Sequence, residues 1–142
     1  MTVAAILATR TGEIITGRPD MMVRDAVALL AQRKIGAVPV VENDRVIGVM
    51  SERDVIYCLA RDGATILDWP VSKIMTAPAI TVDPETTALS ALSLMTSRRI
   101  RHLPVMEGKG LVGIVSIGDL VKYRLDKIEQ EAAEMLNYIQ SA

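Results

Sequence analysis

The sequence predicts an α+β molecule made of two copies of one β-α-β-β-α unit, followed by an extended C-terminal helix. Three observations carry that expectation. When the chain is slid on itself by 65 residues, Ile15–Tyr57 falls on Ile80–Lys122 without a gap, and 13 of the 43 pairs are identical. Within each copy the apolar pattern runs from a short strand, through a helical period, to two short strands and a second helix. The strands are short and mostly apolar, which argues for sheets covered by helices on the outside.

The elements follow in order. Ile14-Ile15-Thr16 is a short strand before Pro19, and Ala79-Ile80-Thr81-Val82 repeats it before Pro84. Val23, Ala26, Val27 and Leu30 have helical spacing, as do Leu89, Leu92 and Met95. Asp20 and Thr86 or Thr87 are start signals for these helices. Ala37 to Val41 and Val46 to Met50 are two strands joined at Asn43-Asp44; in the second copy the turn is Gly108-Lys109-Gly110. A second helix opens at Ser51 or Ser116. Upstream of the ungapped match the offset grows to 68, where Val3–Leu7 falls on Val71–Met75, so the first copy carries three extra residues near Arg10-Thr11-Gly12. The organisation read from this is a first repeat over 1–62, a linker over 63–70, a second repeat over 71–125 and a C-terminal helix over 126–142. One unit is too small to bury both of its helices, so the two are expected to share a core. In the tail, Val121, Leu125, Ile128, Ala132, Met135 and Ile139 form a seam spaced 4-3-4-3-4. Two placements are open for it: against the chain's own core, or against a second subunit.

Composition excludes several functions. Sixteen basic residues stand against 17 acidic ones in 142, so there is no basic footprint for nucleic acid, and with three Tyr, one Trp and no Phe there is no base-stacking platform. One cysteine, Cys58, excludes an internal disulfide and a multi-cysteine metal site, and one histidine, His102, excludes His-pair metal motifs. No apolar run approaches the ~20 residues of a membrane span. The expectation is a soluble, cytoplasmic protein without metal or catalytic cofactor. Cys58, in Ile56-Tyr57-Cys58-Leu59, reads as core, the eight methionines as core or interface filling, and Trp69-Pro70 as the anchor of a short helix at Val71.

The most informative motif is Ser-x-x-Asp, which occurs twice, as Ser51/Asp54 and Ser116/Asp119. A serine followed three residues later by an acid is first of all a helix cap. Each copy, however, follows an apolar strand containing Gly48 or Gly113, and a strand feeding a helix N-terminus offers N–H groups to an anion such as phosphate. The carboxylate repels phosphate but accepts hydrogen bonds from the cis-diol of a ribose. Hydroxyl for phosphate and carboxylate for ribose make a coherent nucleotide grip. Neither G-x-G-x-x-G nor G-x-x-x-x-G-K-[ST] is present, so the grip is of neither the Rossmann nor the P-loop kind.

The twice-occurring pattern of apolar–Pro–Val, hairpin and Gly-h-h-Ser-x-x-Asp-h resembles the CBS domain, and the pair resembles a tandem CBS (Bateman) module. Val71-Ser72-Lys73-Ile74-Met75 and Arg99-Ile100-Arg101-His102-Leu103-Pro104-Val105 are the most typical stretches. The resemblance covers Val3 to about Leu125 and leaves no residues for a catalytic unit. It implies sheets packed back to back about a pseudo-twofold axis, two clefts between the repeats, and adenosine-containing ligands there: AMP, ADP, ATP, NAD(H) or S-adenosylmethionine. It implies a first site of Met50, Ser51, Arg53 and Asp54 with Ile80, Thr81, Ile100, Arg101, His102 and Pro104. The second site would join Val115, Ser116 and Asp119 to Ile15, Thr16, Ile35, Gly36, Ala37 and Pro39. It also implies a homodimer formed through helices, to which the Val121–Ile139 seam would add.

The two sites are expected to differ. The first collects Arg53, Arg101 and His102 as cations for phosphates. The second has Gly36-Ala37 and Gly118 at those positions, so it is expected to have room, little local charge and a preference for a monophosphate or a nucleoside. His102 is either a satisfied, partly buried histidine or a phosphate contact, and Arg101 either faces solvent or meets ligand. The function read from all this is a non-enzymatic adenine-nucleotide sensor; the alternative is a structural dimerisation module with degenerate sites.

Overall fold

The structure is a computed structural model that describes residues 2–10 and 12–141; Met1, Thr11 and Ala142, which the ranges above include, lie outside the described residues. The chain folds as an α+β molecule in which the same element order occurs twice. The first half has helix α1 (Val3–Ala8), helix α2 (Val23–Arg33), strands β1 (Ala37–Glu42) and β2 (Arg45–Ser51), and helix α3 (Glu52–Asp62). Two 3₁₀ turns, Gly63–Asp68 and Val71–Lys73, lead to helix α4 (Ala88–Arg98), strands β3 (His102–Glu107) and β4 (Gly110–Ser116), and helix α5 (Ile117–Ser141).

The hairpins match each other residue for residue. β1 pairs antiparallel with β2 from Ala37↔Ser51 to Glu42↔Arg45, and β3 with β4 from His102↔Ser116 to Glu107↔Gly110. Each ladder slips one residue after the valine that follows its proline, between Val40 and Val41 and between Val105 and Met106. Asn43 and Asp44 both have positive φ, as the tight first turn requires. Helices α2 and α4 both end on a left-handed residue, Lys34 and Arg99, and both close with a six-to-one bond, Ile35 N–H to Leu30 O at 3.1 Å and Ile100 N–H to Met95 O at 3.0 Å.

Two of the sequence expectations are corrected. Thr87 caps α4 through Ser90 N–H, but the N-cap position of α2 is Met22, which makes no side-chain cap, so Asp20 is not its start signal. The first strand of each unit shrinks to one parallel bridge, Gly17↔Val40 and Val82↔Val105. Prolines explain it. Gly17 N–H donates to Pro39 O and Val41 N–H to Gly17 O, both at 2.9 Å. The next parallel bond upstream would need an N–H on Pro39, and the next downstream one on Pro19. Pro104 and Pro84 bracket the Val82 bridge in the same way. Ile15-Thr16 and Ile80-Thr81 therefore run beside the sheet without being zipped into it.

The halves exchange their first segments. One core holds Val23, Ala26, Leu30, Val38, Val40, Met50 and Val55 together with Val71 and Ile74 from the start of the second repeat. The other holds Ala88, Ala91, Met95, Leu103, Val105, Val115 and Leu120 together with Val3 and Ile6 of α1. The backbone bonds that tie these segments down are paired: Val3 N–H to Thr86 O and Ala4 N–H to Pro84 O on one side, Val71 N–H to Met21 O and Ser72 N–H to Pro19 O on the other. This correspondence, at offsets of 68 and 65, is the pseudo-twofold relation of the two halves. Cys58 is buried in the first core, and Trp69 packs on it with Lys73 Nζ 3.8 Å above its ring.

The tail does not fold back on the core. α5 continues as one 25-residue helix, and of its apolar side chains Val121, Leu125, Ile128, Met135 and Ile139 are exposed, Met135 and Ile139 by 60% or more.

Candidate functional site

Each Ser-x-x-Asp sits where a strand becomes a helix. Ser51 caps α3: its hydroxyl accepts from Asp54 N–H at 3.2 Å, and Asp54 Oδ2 accepts from Ser51 N–H at 2.9 Å. Ser116 and Asp119 repeat the pair at 3.1 and 2.7 Å at the start of α5. Both carboxylates are half-buried and both face a cleft between the repeats. Capping and cleft-lining are thus one arrangement, since a carboxylate with about four acceptor positions is not exhausted by its cap.

The first cleft encloses about 370 Å³. Of the expected residues it brings together Ser51, Arg53, Asp54, Ile80, Ile100, Arg101 and His102. Met50 and Pro104 are instead buried in the sheets, and Thr81 is exposed beside Ile80 without lining the wall. Ile56, Tyr57 and Thr76 were missed. Thr76 matters most: its hydroxyl donates to Asp54 Oδ1 at 3.1 Å, so the second repeat's own segment steadies the first repeat's carboxylate. It is held there by two backbone bonds with Val49, at 2.9 and 3.0 Å. Arg53 reaches Arg99 O at 3.4 Å. Arg53, Arg99 and Arg101 face Glu52 and Asp54, which leaves this cleft with a surplus of positive charge.

The second cleft encloses about 460 Å³ and brings together Ile15, Ile35, Gly36, Ala37, Ser116 and Asp119. Thr16 is exposed beside the wall, while Pro39 and Val115 are buried. Of the roomy, weakly charged site expected here, the weak charge is corrected, while the cleft is the larger of the two. Arg10 and Lys34 line it with Glu13, and Arg10 forms an ion pair with Asp119 while donating to Ile114 O. The space opposite Gly36 is taken by His102: a Cβ at Gly36 would lie 3.0 Å from its Nε2. Arg10 lies beside the three-residue insertion that interrupts the repeat match, and that interruption was its only signal in the sequence.

His102 lines both clefts and belongs to neither alone. Burial lowers its pKa and Arg101 lowers it further, against the opposing pull of Glu52 and Asp119. Burial alone would raise Asp119, but the Ser116 N–H and the Arg10 guanidinium outweigh it and hold the carboxyl below its ordinary value. Among the described residues there is no cluster of three or more His, Cys, Asp or Glu that would hold a metal ion, and no helix long and apolar enough to cross a membrane.

Fold and clefts together define a paired-repeat module with two related pockets at its internal axis. The chain belongs to the CBS-domain family, whose model matches residues 3–61 and again 71–126. It is 40% identical over 126 residues to the mitochondrial CBS domain-containing protein CBSX3 of Arabidopsis thaliana, matching 85% of this chain and spanning 61% of that protein. A solved CBS-domain protein from Burkholderia ambifaria MC40-6 superposes with a TM-score of 0.84 at 37% identity, over 89% of this chain and 95% of that one. The CBS domain pair of protein MJ0100, solved in complex with 5′-methylthioadenosine and S-adenosylmethionine, shares the fold at a TM-score of 0.78 and 22% identity, over 89% of this chain and 98% of that one.

Proposed function

We propose that this protein is a non-enzymatic regulatory module that binds an adenosine-containing ligand of the AMP, ADP, ATP, NAD(H) or S-adenosylmethionine class in its clefts. The observation that carries the reading is the first cleft: a capped carboxylate steadied from two elements, beside a helix N-terminus, in a pocket with surplus arginine. Asp54 is suited to accept the ribose diol, Ser51 and the α3 N-terminus to meet phosphate, and Arg53 and Arg101 to neutralise it. Ile80 and Ile100 offer apolar walls to the base. The MJ0100 pair supports the ligand class, since a module of this fold holds adenosine compounds in that protein.

Regulation would work by differential binding, the ligand favouring one arrangement of the repeats or of an assembly. The exposed seam of α5 is suited to pair with a second copy of the chain, making a homodimer the assembly we propose.

The test is thermal unfolding with AMP, ADP, ATP, NAD, NADH and S-adenosylmethionine, with sedimentation of the same samples. A ligand present at ~100 times its dissociation constant adds about 2.7 kcal/mol of stability. The expected result is a shift with at least one compound that Asp54→Ala reduces, and a dimer that Leu125→Glu dissociates. A dimer with no shift from any compound would instead favour a structural dimerisation module with degenerate sites.

A further inference from the structure

The two clefts present their aspartates in different chemical states, and the difference comes from the exchanged segments. In the first cleft the segment after Val71–Lys73 gives Asp54 a neutral donor, the Thr76 hydroxyl at 3.1 Å. In the second, the segment after α1 gives Asp119 a cation, Arg10. The two donors are not repeat mates: at the offset of 68, Thr76 falls on Ala8 and Arg10 on Pro78. Each cleft has thus acquired its own partner for the carboxylate.

We infer that Arg10 is the specificity-determining residue of the second cleft, a latch on Asp119 that admits phosphorylated adenosine ligands and discriminates against uncharged nucleosides. The inference rests on the ligand-binding reading above. A ribose diol reaching Asp119 competes with a guanidinium already bonded there. A nucleoside offers the displaced guanidinium nothing in return, so it gives up a charge-assisted pair without replacing it. A nucleotide offers a phosphate, which takes two parallel bonds from a guanidinium as a carboxylate does. The exchange then leaves every charge partnered: diol on Asp119, phosphate on Arg10.

The surrounding groups suit this role. Arg10 side-chain exposure is 37% and that of Asp119 is 34%, so the pair is open enough for a ligand to reach it. Arg10 is also tethered through Ile114 O, on the strand that delivers Ser116 to the start of α5, which keeps it close to where a phosphate would sit. Glu13, the other acid on the wall, is engaged by Arg33 at 3.7 Å. Lys34 is a second cation on the same wall. Asp54 has the Thr76 hydroxyl in place of such a latch, so the preference of the first cleft between nucleoside and nucleotide is set by the α3 N-terminus and by the arginines that line it, Arg53, Arg99 and Arg101.

Titration calorimetry with adenosine and with AMP tests this in the full chain carrying Asp54→Ala, so that the second cleft is the one read. AMP is expected to bind more tightly than adenosine. Adding Arg10→Ala is expected to strengthen adenosine and weaken AMP, shrinking the ratio about tenfold or more. Arg10→Lys, which keeps a cation, is expected to retain most of the preference, and a melting curve on each variant shows that the fold survives. Binding with an unchanged AMP-to-adenosine ratio in Arg10→Ala overturns the latch and leaves the ligand-binding reading intact. If neither compound binds Asp54→Ala while the parent binds, the second cleft is not a site and the latch falls with it. If neither binds even the parent, the latch falls, and the adenosine reading falls with it unless one of the six compounds above shifts the unfolding of the parent.

Discussion

His102 is where the two clefts meet. The imidazole fits against Gly36 because the first repeat has glycine where the second has Arg101; a Cβ at 36 would press on the ring, 3.0 Å from its Nε2. Burial makes the folded state prefer the neutral ring, with Arg101 acting in the same direction and Glu52 and Asp119 against it. A histidine whose pKa is lower folded than unfolded binds protons more readily in the unfolded chain. Its contribution to stability is therefore complete above the unfolded value of about 6.5 and is lost as pH falls from there toward the folded value. Urea unfolding between pH 7.5 and 5.5 is expected to show stability falling with pH, and His102→Asn is expected to flatten that slope. A slope unchanged in the variant would show that other groups titrate in this window. Asp119, also lowered, acts in the same direction, but its loss comes in the more acidic range around and below its ordinary value of 3.8.

At the scale of the element, the strand glycines show that matched positions carry unequal constraints. Gly48 and Gly113 are repeat mates, and each faces the exchanged segment of the other half. A Cβ on Gly48 would lie 2.8 Å from both Met75 Sδ and the backbone oxygen of Thr76. A Cβ on Gly113 would meet only the tip of Leu7, at 2.7 Å from its Cδ2. Side-chain ends can rotate away, whereas Thr76 is bonded to Val49 in both directions. Gly48→Ala is thus expected to lose about 1–3 kcal/mol in denaturant unfolding, and Gly113→Ala clearly less. Equal losses would mean that Leu7 is as immobile as the Thr76 backbone. Elements like these hairpins were legible because their determinants are local: alternation, a turn with positive φ, and a capping pair three residues apart. The first strand of each unit was misread because its length depends on a partner's missing N–H, on Pro39 or Pro104, far away in sequence. The same prolines were expected in the clefts. They shape the clefts from behind, by leaving Ile15 and Ile80 unzipped along the walls. Thr76 and Arg10 escaped the sequence reading for a related reason, since neither has a counterpart in the other repeat and only the fold sets them against a carboxylate.

At the scale of the whole molecule, the exchange of segments decides how the halves depend on each other. Sequence similarity divides the chain at the linker, but packing does not: Val3 and Ile6 complete the core of the second repeat, while Val71 and Ile74 complete that of the first. Each is at most 6% exposed, so neither core is full without chain from the other repeat. This has a consequence for stability. If each repeat were self-contained, a cavity made in the first would loosen the first. Given the exchange, Ile6→Ala should open a cavity among Leu103, Val105, Val115 and Leu120, costing about 2–5 kcal/mol. Hydrogen exchange should then rise in β3 and β4 before it rises in β1 and β2, although residue 6 is closer in sequence to β1. Ile74→Ala should give the mirror result, with β1 and β2 exchanging first. Because each core then fails for want of the other repeat's segment, denaturant should unfold the parent in one transition rather than two. Loosening confined to the hairpin of the mutated residue's own sequence repeat would show that the segments are not exchanged. It would also leave Thr76 and Arg10 without the anchorage that brings them to Asp54 and Asp119.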